Sequence, residues 1–241
     1  MCVSYLYFCF ILLTSWPGLL PIDQNAQYHM TRNIIQFPAA SGAEPYFAWD
    51  YPLAAKWGGV AQPIGHEFIH GFDTTGSHYN KNGEVKNWWS DEARKLFKKR
   101  VDCLVKQYGD LEHVETNYEI DFDATIDDNI ADVIGIDLAH EAFKETIGND
   151  LDKVEIASLQ LTNQQMFFVT AALGHCDISF SDFNVDNSEG KKDDEHFSVP
   201  DDHASAKHRI WGMMMNSEDF ARAFQCPRGS RMNPVTKCRI W

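Results

Sequence analysis

The chain has 241 residues, of which 44% are hydrophobic and 13% aromatic, so it can bury a core and is not globally disordered. Asp and Glu outnumber Lys and Arg by 35 to 21, which gives a formal net charge of -14. Nucleic acids and anionic membrane surfaces select basic faces, so this balance argues against either as the main partner. Six cysteines are too few for a disulfide scaffold at this length but are common in secreted enzymes.

The N-terminal segment is apolar. A dense hydrophobic run covers Tyr5 to Leu13, which is about half of the length that a membrane-spanning helix needs. The run has the length of a signal-peptide core, but no Lys or Arg precedes it and no clear cleavage site follows it. We therefore separate residues 1–15 as an apolar leader, which is either a signal peptide or a misjoined or truncated N-terminus.

The rest of the pattern predicts a mostly helical fold with a little sheet. The β-branched segment Asn33–Phe37, bounded by Pro38, predicts a strand, and Ala39–Pro52 predicts a loop. Helices are predicted from Gly58 onwards and over Ser90–Tyr108, Asp127–Phe143, Asn163–Leu173 and Ser217–Phe224. The polar and acidic segment Ser181–Asp202 predicts an exposed loop.

Residues His66 to His70 form an HExxH motif. On a helix, positions i and i+4 lie on one face, so both imidazoles can reach one Zn²⁺ at about 2.0–2.1 Å while Glu67 lies beside the metal. The alternative is a helix with two surface histidines and a solvated glutamate. The residues downstream decide between these two interpretations.

A catalytic zinc site needs a third protein ligand. Asp128 and Asp132 lie one turn apart on the helix predicted from Asp127, so one can bind metal while the other orients a ligand imidazole. Alone, such a pair is more often found where a helix N-terminus is stabilised through its dipole. Beside the HExxH motif, the metal-site interpretation is favoured.

Four segments together resemble the C-terminal catalytic region of the neprilysin and endothelin-converting-enzyme family of zinc metallopeptidases, which are of the gluzincin type. They are Asn25–Tyr28 with Asn33–Ala39, Gly58–Asp73, Asp128–Asp132 and His203–Ile210, followed by a similar terminus from Cys226 to Trp241. They occur in one order over residues 16–241, which is more specific than any single motif. The resemblance implies a thermolysin-like catalytic domain over these residues, mostly α with a small β-sheet.

The resemblance implies a metal site and a general base. His66, His70 and Asp128 would hold one Zn²⁺ per chain. Glu67 would take a proton from the zinc-bound water as it attacks the scissile peptide bond. Asp132 would orient a zinc histidine from behind.

The resemblance also implies substrate contacts. His203, supported by Asp73, would stabilise the oxyanion of the tetrahedral intermediate. Arg209 would bind a substrate carbonyl or C-terminal carboxylate through its forked donors, and Asn25 with the Ala26 backbone would hold the peptide as an added edge strand. The implied activity is a metalloendopeptidase that processes small extracellular peptides and is either membrane-anchored or secreted.

The sequence departs from the family at several of these positions. The family's third ligand is a glutamate, and Asp128 is shorter by one methylene, about 1.5 Å of reach. Ser205 replaces a proline and His208 an aromatic residue, and both changes are expected to loosen the position of His203. The hydrophobic pocket for the side chain after the cleaved bond is also altered, at Gln62-Pro63 and Gly174-His175.

Members of the family are about three times longer and carry a helical lid domain ahead of this region. The resemblance pairs Cys103 with Cys238 and leaves Cys176 and Cys226 without their usual upstream partners. The chain is therefore expected to lack the lid and to be a fragment, an isoform or an incomplete gene model. A second hypothesis follows, in which the chain is a catalytically weak or inactive peptide-binding fragment derived from the family.

Overall fold

A computed structural model of the chain describes residues 19–23, 25–115, 122–176 and 203–241. The apolar leader and the loop predicted over Ser181–Asp202 lie outside the described residues. Within the described ranges, no helix combines the length and the apolar character that crossing a membrane requires.

The described part of the chain is mainly helical, with one two-stranded sheet. Strands β1 (Gln27–His29) and β2 (Ile34–Gln36) pair antiparallel, with Tyr28 opposite Ile35. The helices are α1 (Leu53–Lys56), α2 (Gln62–Ile69), α3 (Asp91–Glu115), α4 (Phe122–Ile147), α5 (Asn163–Leu173), α6 (Ala206–Asn216) and α7 (Glu218–Ala223). The mostly α fold with a small β-sheet that the sequence predicts is confirmed.

Helix α1 continues into α2 through one π-helical segment, Trp57–Ala61. Two glycines in this segment allow it to pack against backbone, since a Cβ at Gly58 would collide with the Phe167 carbonyl of α5 and one at Gly59 with the Tyr46 carbonyl. The helix predicted to begin at Gly58 therefore begins earlier, at α1. Pro63 is the second residue of α2 and lies inside this continuous helix, directly after the π-helical segment.

Helices α2 and α4 cross at a pair of glycines. A Cβ at Gly65 would lie 2.6 Å from the carbonyl oxygen of Gly135, and a Cβ at Gly135 would lie 2.6 Å from the amide nitrogen of His66. The two backbones approach this closely because neither residue has a side chain. The crossing brings His66 of α2 against the turn of α4 that carries Asp132.

Helix α4 contributes to both hydrophobic clusters in the core. One cluster joins α4 to α1, α5 and α6, and its most buried members include Ile136, Phe143, Phe167, Phe168 and Met213. The other joins α4 to α3 and the C-terminal tail, with Leu104, Ile130, Ala131 and Ile240 almost fully buried. Burying each such large side chain contributes about 1.5–3 kcal/mol, so α4 is held firmly from two sides.

The C-terminal tail is fixed to α3. Cys103 of α3 and Cys238 form a disulfide bond, and the ring of Trp241 stacks on that of Phe97 with centroids 5.6 Å apart. The free cysteines of the described residues are Cys176, which is exposed, and Cys226, which is partly buried.

Replacing Gly65 by alanine should loosen the α2–α4 crossing. The added methyl group meets backbone that cannot rotate away, so we expect a loss of about 1–3 kcal/mol in the free energy of unfolding, measured by urea denaturation. Gly109→Ala is the matched control, because a Cβ there has no atom within 4 Å. That variant should gain about 0.5–1 kcal/mol from helix propensity. Equal behaviour of the two variants would contradict the close crossing.

Asp137 of α4 should make stability depend on pH. Burial raises its pKa from 3.8 to about 6, although a Ser217 hydrogen bond opposes the shift. Between these values the native chain binds a proton that the unfolded chain releases, so stability falls as the pH rises through them. Asp137→Asn should therefore raise stability at pH 7.5 by on the order of 1–3 kcal/mol and have no effect at pH 4. Asp152→Asn, at an exposed position, is the control, and a gain that persisted at pH 4 would contradict this account.

Candidate active site

A cavity of about 410 Å³ opens between β1, α2, α4 and the start of α6. The sequence-predicted site residues that line it are Asn25, Ala26, His66, Glu67, His70, Asp128, His203 and Arg209. The other two predicted site residues, Asp73 and Asp132, are buried behind this surface. The structure thus brings together residues from four separate regions of the chain.

Three donor atoms converge in the cavity. The Nε2 atoms of His66 and His70 lie 3.0 Å apart, and Asp128 Oδ1 lies 3.3 Å from the first and 3.8 Å from the second. Donors placed about 2.0–2.1 Å from a tetrahedral zinc ion lie roughly 3.3 Å from one another, so the spacing of these three atoms fits zinc. Two imidazoles and one carboxylate also form the donor set of catalytic zinc sites rather than of closed structural ones.

A buried carboxylate orients each of the two histidines. His66 Nδ1 lies 2.8 Å from Asp132 Oδ1, and His70 Nδ1 lies 2.7 Å from Asp73 Oδ2. These contacts fix both rings with their Nε2 atoms towards the cavity, as carboxylates behind metal-binding histidines do.

Asp73 has a different partner from the one expected. Its Oδ1 accepts the backbone amides of Thr75 and Gly76, at 2.9 and 2.6 Å, so the turn after α2 fixes the carboxylate. Because Asp73 follows His70 by three residues on this turn, its free oxygen meets His70 and not His203, which Asp73 was expected to support.

Arg209 of α6 donates two hydrogen bonds to the carboxylate of Asp132. Its Nε lies 2.7 Å from Oδ2 and its Nη2 lies 2.8 Å from Oδ1. Burial of Asp132 favours the neutral acid, but the guanidinium of Arg209 and the bond to His66 outweigh burial and hold the pKa of Asp132 well below its usual range. Arg209 still lines the cavity, so the residue expected to bind substrate also anchors α6 to α4.

The candidate metal ligands strongly influence one another's pKa values. Burial lowers the pKa of His66, but the carboxylates of Asp132 and Asp128 outweigh burial and raise it to about 9. Burial likewise opposes ionisation of Asp128, but hydrogen bonds from His203 and His66 hold the pKa of this carboxyl below its usual range. A metal ion would therefore take up this site by displacing a proton.

Glu67 lies beside the three candidate metal ligands, and a residue of the sheet holds its carboxylate. It is buried, burial raises its pKa, and the backbone of Tyr28 on β1 hydrogen-bonds its carboxylate. No pattern in the sequence points to this backbone contact, because it depends on how the β1–β2 hairpin packs over α2. A carboxylate with a raised pKa is suited to general-base chemistry near neutral pH.

Two departures from the family meet at the start of α6. Ser205 Oγ lies 2.7 Å from His208 Nδ1, and the His208 ring is buried. The two replacements were expected to loosen His203, but their side chains contact each other across the first turn of the helix. His203 Nε2 lies 3.1 Å from Asp128 Oδ1.

One wall of the cavity is polar. Gln62 and His175 line it at positions where the family resemblance implies a hydrophobic pocket. Burial lowers the pKa of His175 to about 4, so its ring is neutral near pH 7.

The histidines of the HExxH motif, backed by carboxylates and facing an acidic helix, give the chain a candidate metal site within the fold of a zinc metallopeptidase catalytic domain. Residues 25–240 match the family model of peptidase family M13, and the chain belongs to this family. It is 34% identical over 218 residues to membrane metallo-endopeptidase-like 1 of Mus musculus, covering 90% of this chain and 27% of that protein. It is 32% identical over 229 residues to endothelin-converting enzyme 1 of Homo sapiens, covering 93% of this chain and 28% of that protein.

Solved structures show the same fold. The zinc metalloprotease ZMP1 of Mycobacterium tuberculosis, solved in complex with an inhibitor, superposes with a TM-score of 0.77 at 28% identity, covering 92% of this chain and 33% of that chain. PEPO from Lactobacillus rhamnosis superposes with a TM-score of 0.65 at 25% identity, covering 85% and 29%. The chain thus spans about a quarter to a third of the length of these relatives.

Replacing Arg209 by methionine should destabilise the whole fold. Asp132 would keep a fully buried charge without its main partner, which costs about 3–5 kcal/mol in the free energy of unfolding. Urea denaturation at pH 7 measures the loss. Arg222→Met is the matched control, because that arginine is exposed and its partner Asp219 keeps the ion pair with Lys144, so the change should cost less than about 1 kcal/mol. Similar losses in both variants would contradict an anchoring role for Arg209.

Proposed function

We propose that residues 16–241 form a zinc-dependent metalloendopeptidase domain that hydrolyses peptide bonds in small peptides. The observation that carries this proposal is the spacing of the three donor atoms of His66, His70 and Asp128, at 3.0, 3.3 and 3.8 Å, with Glu67 beside them. One zinc ion per chain fits this set. Membership of peptidase family M13 supports the same activity.

Besides the metal, the proposed reaction needs a general base and hydrogen-bond donors, which the chain's own residues supply. Zinc, when bound, supplies a Lewis acid that polarises the scissile carbonyl and makes water a stronger nucleophile. Glu67 accepts the proton of the attacking water at its carboxylate, which the backbone of Tyr28 holds in place. His203 and Arg209 line the same cavity, where their N–H groups can hydrogen-bond the developing oxyanion and a substrate carbonyl.

The peptide binds along β1 in this proposal. Within the described ranges β1 pairs only with β2, so its other edge can accept an extended chain. Asn25 and Ala26 come directly before β1 and line the cavity, which places their backbone and amide groups next to the candidate metal donors. Main-chain hydrogen bonds would hold the peptide without regard to sequence, and pockets beside the metal would select side chains.

We propose that the domain acts on the extracellular side, membrane-anchored or secreted. The Cys103–Cys238 disulfide supports an oxidising compartment. A relative that matches the chain is named membrane metallo-endopeptidase-like 1. By the family resemblance, a helical lid domain is the expected structural partner, and peptides rather than nucleic acid are the expected ligands of a chain with a net charge of -14.

A second candidate function is peptide binding with little or no turnover. The observation that favours it is the short Asp128 side chain, whose Oδ1 already lies 3.1 Å from His203 Nε2. If that contact kept His203 away from the oxyanion, the domain could bind zinc and peptide without stabilising the transition state.

Glu67→Gln should separate metal binding from catalysis. The purified full chain should contain one zinc per molecule and cleave members of a short-peptide mixture, with products read by mass spectrometry and activity lost to a chelator. The variant should keep its zinc and lose about 10²–10⁴-fold in rate, because it removes the general base. Glu141→Gln, at an exposed position of α4, is the matched control and should cleave normally.

Two outcomes would decide against the proposal. A zinc-loaded wild-type chain that cleaves no peptide in the mixture would favour the binding function. Unchanged metal content after replacing both His66 and His70 by glutamine would show that the HExxH motif holds no metal.

A further inference from the structure

We propose that His203 is a positioning residue for the metal, because its ring holds the short Asp128 carboxylate in place to coordinate. This inference rests on the proposed zinc site and adds to it. It gives His203 a role in metal affinity, besides the contact with substrate that the resemblance implies.

The geometry around one oxygen atom carries the inference. Asp128 Oδ1 lies 3.1 Å from His203 Nε2, 3.3 Å from His66 Nε2 and 3.8 Å from His70 Nε2. A carboxylate oxygen has two lone pairs, so Oδ1 can coordinate a metal with one and accept a hydrogen bond from His203 with the other. The Asp128 side chain is 14% exposed, so water competes weakly for this contact.

The short side chain explains why such support matters. Aspartate reaches about 1.5 Å less far than the glutamate of the family, and a carboxylate that stops short of the metal binds weakly. The neighbouring Asp127 accepts the backbone amide of Thr74 at 2.8 Å, which ties the start of α4 to the turn after α2. That contact holds the backbone next to Asp128 against the turn after α2, and His203 then fixes the direction of the carboxylate.

His203 is itself fixed relative to Asp128. Six residues later, Arg209 donates two hydrogen bonds to Asp132, which lies one turn along α4 from Asp128. The contact between Ser205 and His208 stiffens the segment that joins His203 to α6. The ring just before α6 and the carboxylate on α4 are therefore linked through the Arg209–Asp132 contact between these two helices.

A role limited to the oxyanion predicts something different. A donor that acts only in the transition state changes the rate of cleavage and leaves the affinity for zinc unchanged. A residue that orients a metal ligand typically changes metal affinity by about 10–100-fold. Zinc affinity, which needs no turnover, therefore separates the two roles.

The test measures the zinc Kd of the full chain at pH 7.5 by competition with a chromophoric chelator. His203→Ala should weaken zinc binding about 10–100-fold, and His203→Gln should recover part of the loss because its amide N–H can still donate. His78→Ala, at an exposed histidine, is the matched control and should leave the Kd unchanged. Circular dichroism of each variant, recorded alongside, reports whether it is folded.

The length of the side chain at position 128 provides a second test. In an Asp128→Glu background the longer side chain needs less support, so adding His203→Ala should weaken zinc binding by less than about 3-fold. Unchanged zinc affinity in folded His203→Ala, or an equal loss in both backgrounds, would overturn the inference. A wild-type chain that binds zinc but cleaves nothing would count against the proposed activity alone, whereas one that binds no zinc would overturn both.

Discussion

The glycine-on-glycine crossing of α2 and α4 is the constraint on which the site depends. Gly65 precedes His66, and Gly135 lies one turn after Asp132, so backbone contact at the glycines sets how far apart the histidine and its carboxylate can be. A side chain at either glycine would separate the helices by an amount larger than the tolerance of about 0.2 Å that metal–ligand distances allow. The hydrophobic clusters on both sides of α4 hold the two helices in contact, so core packing fixes the positions of the donor atoms.

Around this crossing the charged groups alternate in sign. Arg209 neutralises Asp132, Asp132 orients His66, and Asp128 lies between His66 and His203. Each carboxylate shares its charge with two partners, which keeps it ionised in spite of burial. Such a network is costly when half satisfied, because removing one member leaves its neighbours buried and unpaired. The same groups therefore serve stability and the candidate chemistry together.

The local features were predictable from the residues themselves, whereas the long-range contacts that were expected, such as Cys103–Cys238, came only from the family resemblance. The HExxH spacing and the periodicity of α5 are local, and the Thr162–Gln165 capping box begins α5 where the sequence predicts it. Helix α6 was not predicted, because its polar first turn resembles a loop until Arg209 meets α4. Asp73 was expected beside His203 and contacts His70, since a motif fixes which residues are present but not how a turn directs them. The glycine crossing joins segments about 70 residues apart and leaves no local pattern.

The disulfide between Cys103 and Cys238 has a consequence for the denatured chain. It closes a loop over a sequence separation of 135 residues, which by the chain-entropy estimate restricts the unfolded state by about 5 kcal/mol. Asp128 and His203 lie inside this loop, and the HExxH histidines lie outside it. The disulfide therefore restricts the conformations of the part of the unfolded chain that supplies Asp128. Because a metal that binds only the native state shares its free energy with folding, reduction of this remote bond would lower the apparent affinity for zinc wherever the native state is marginal.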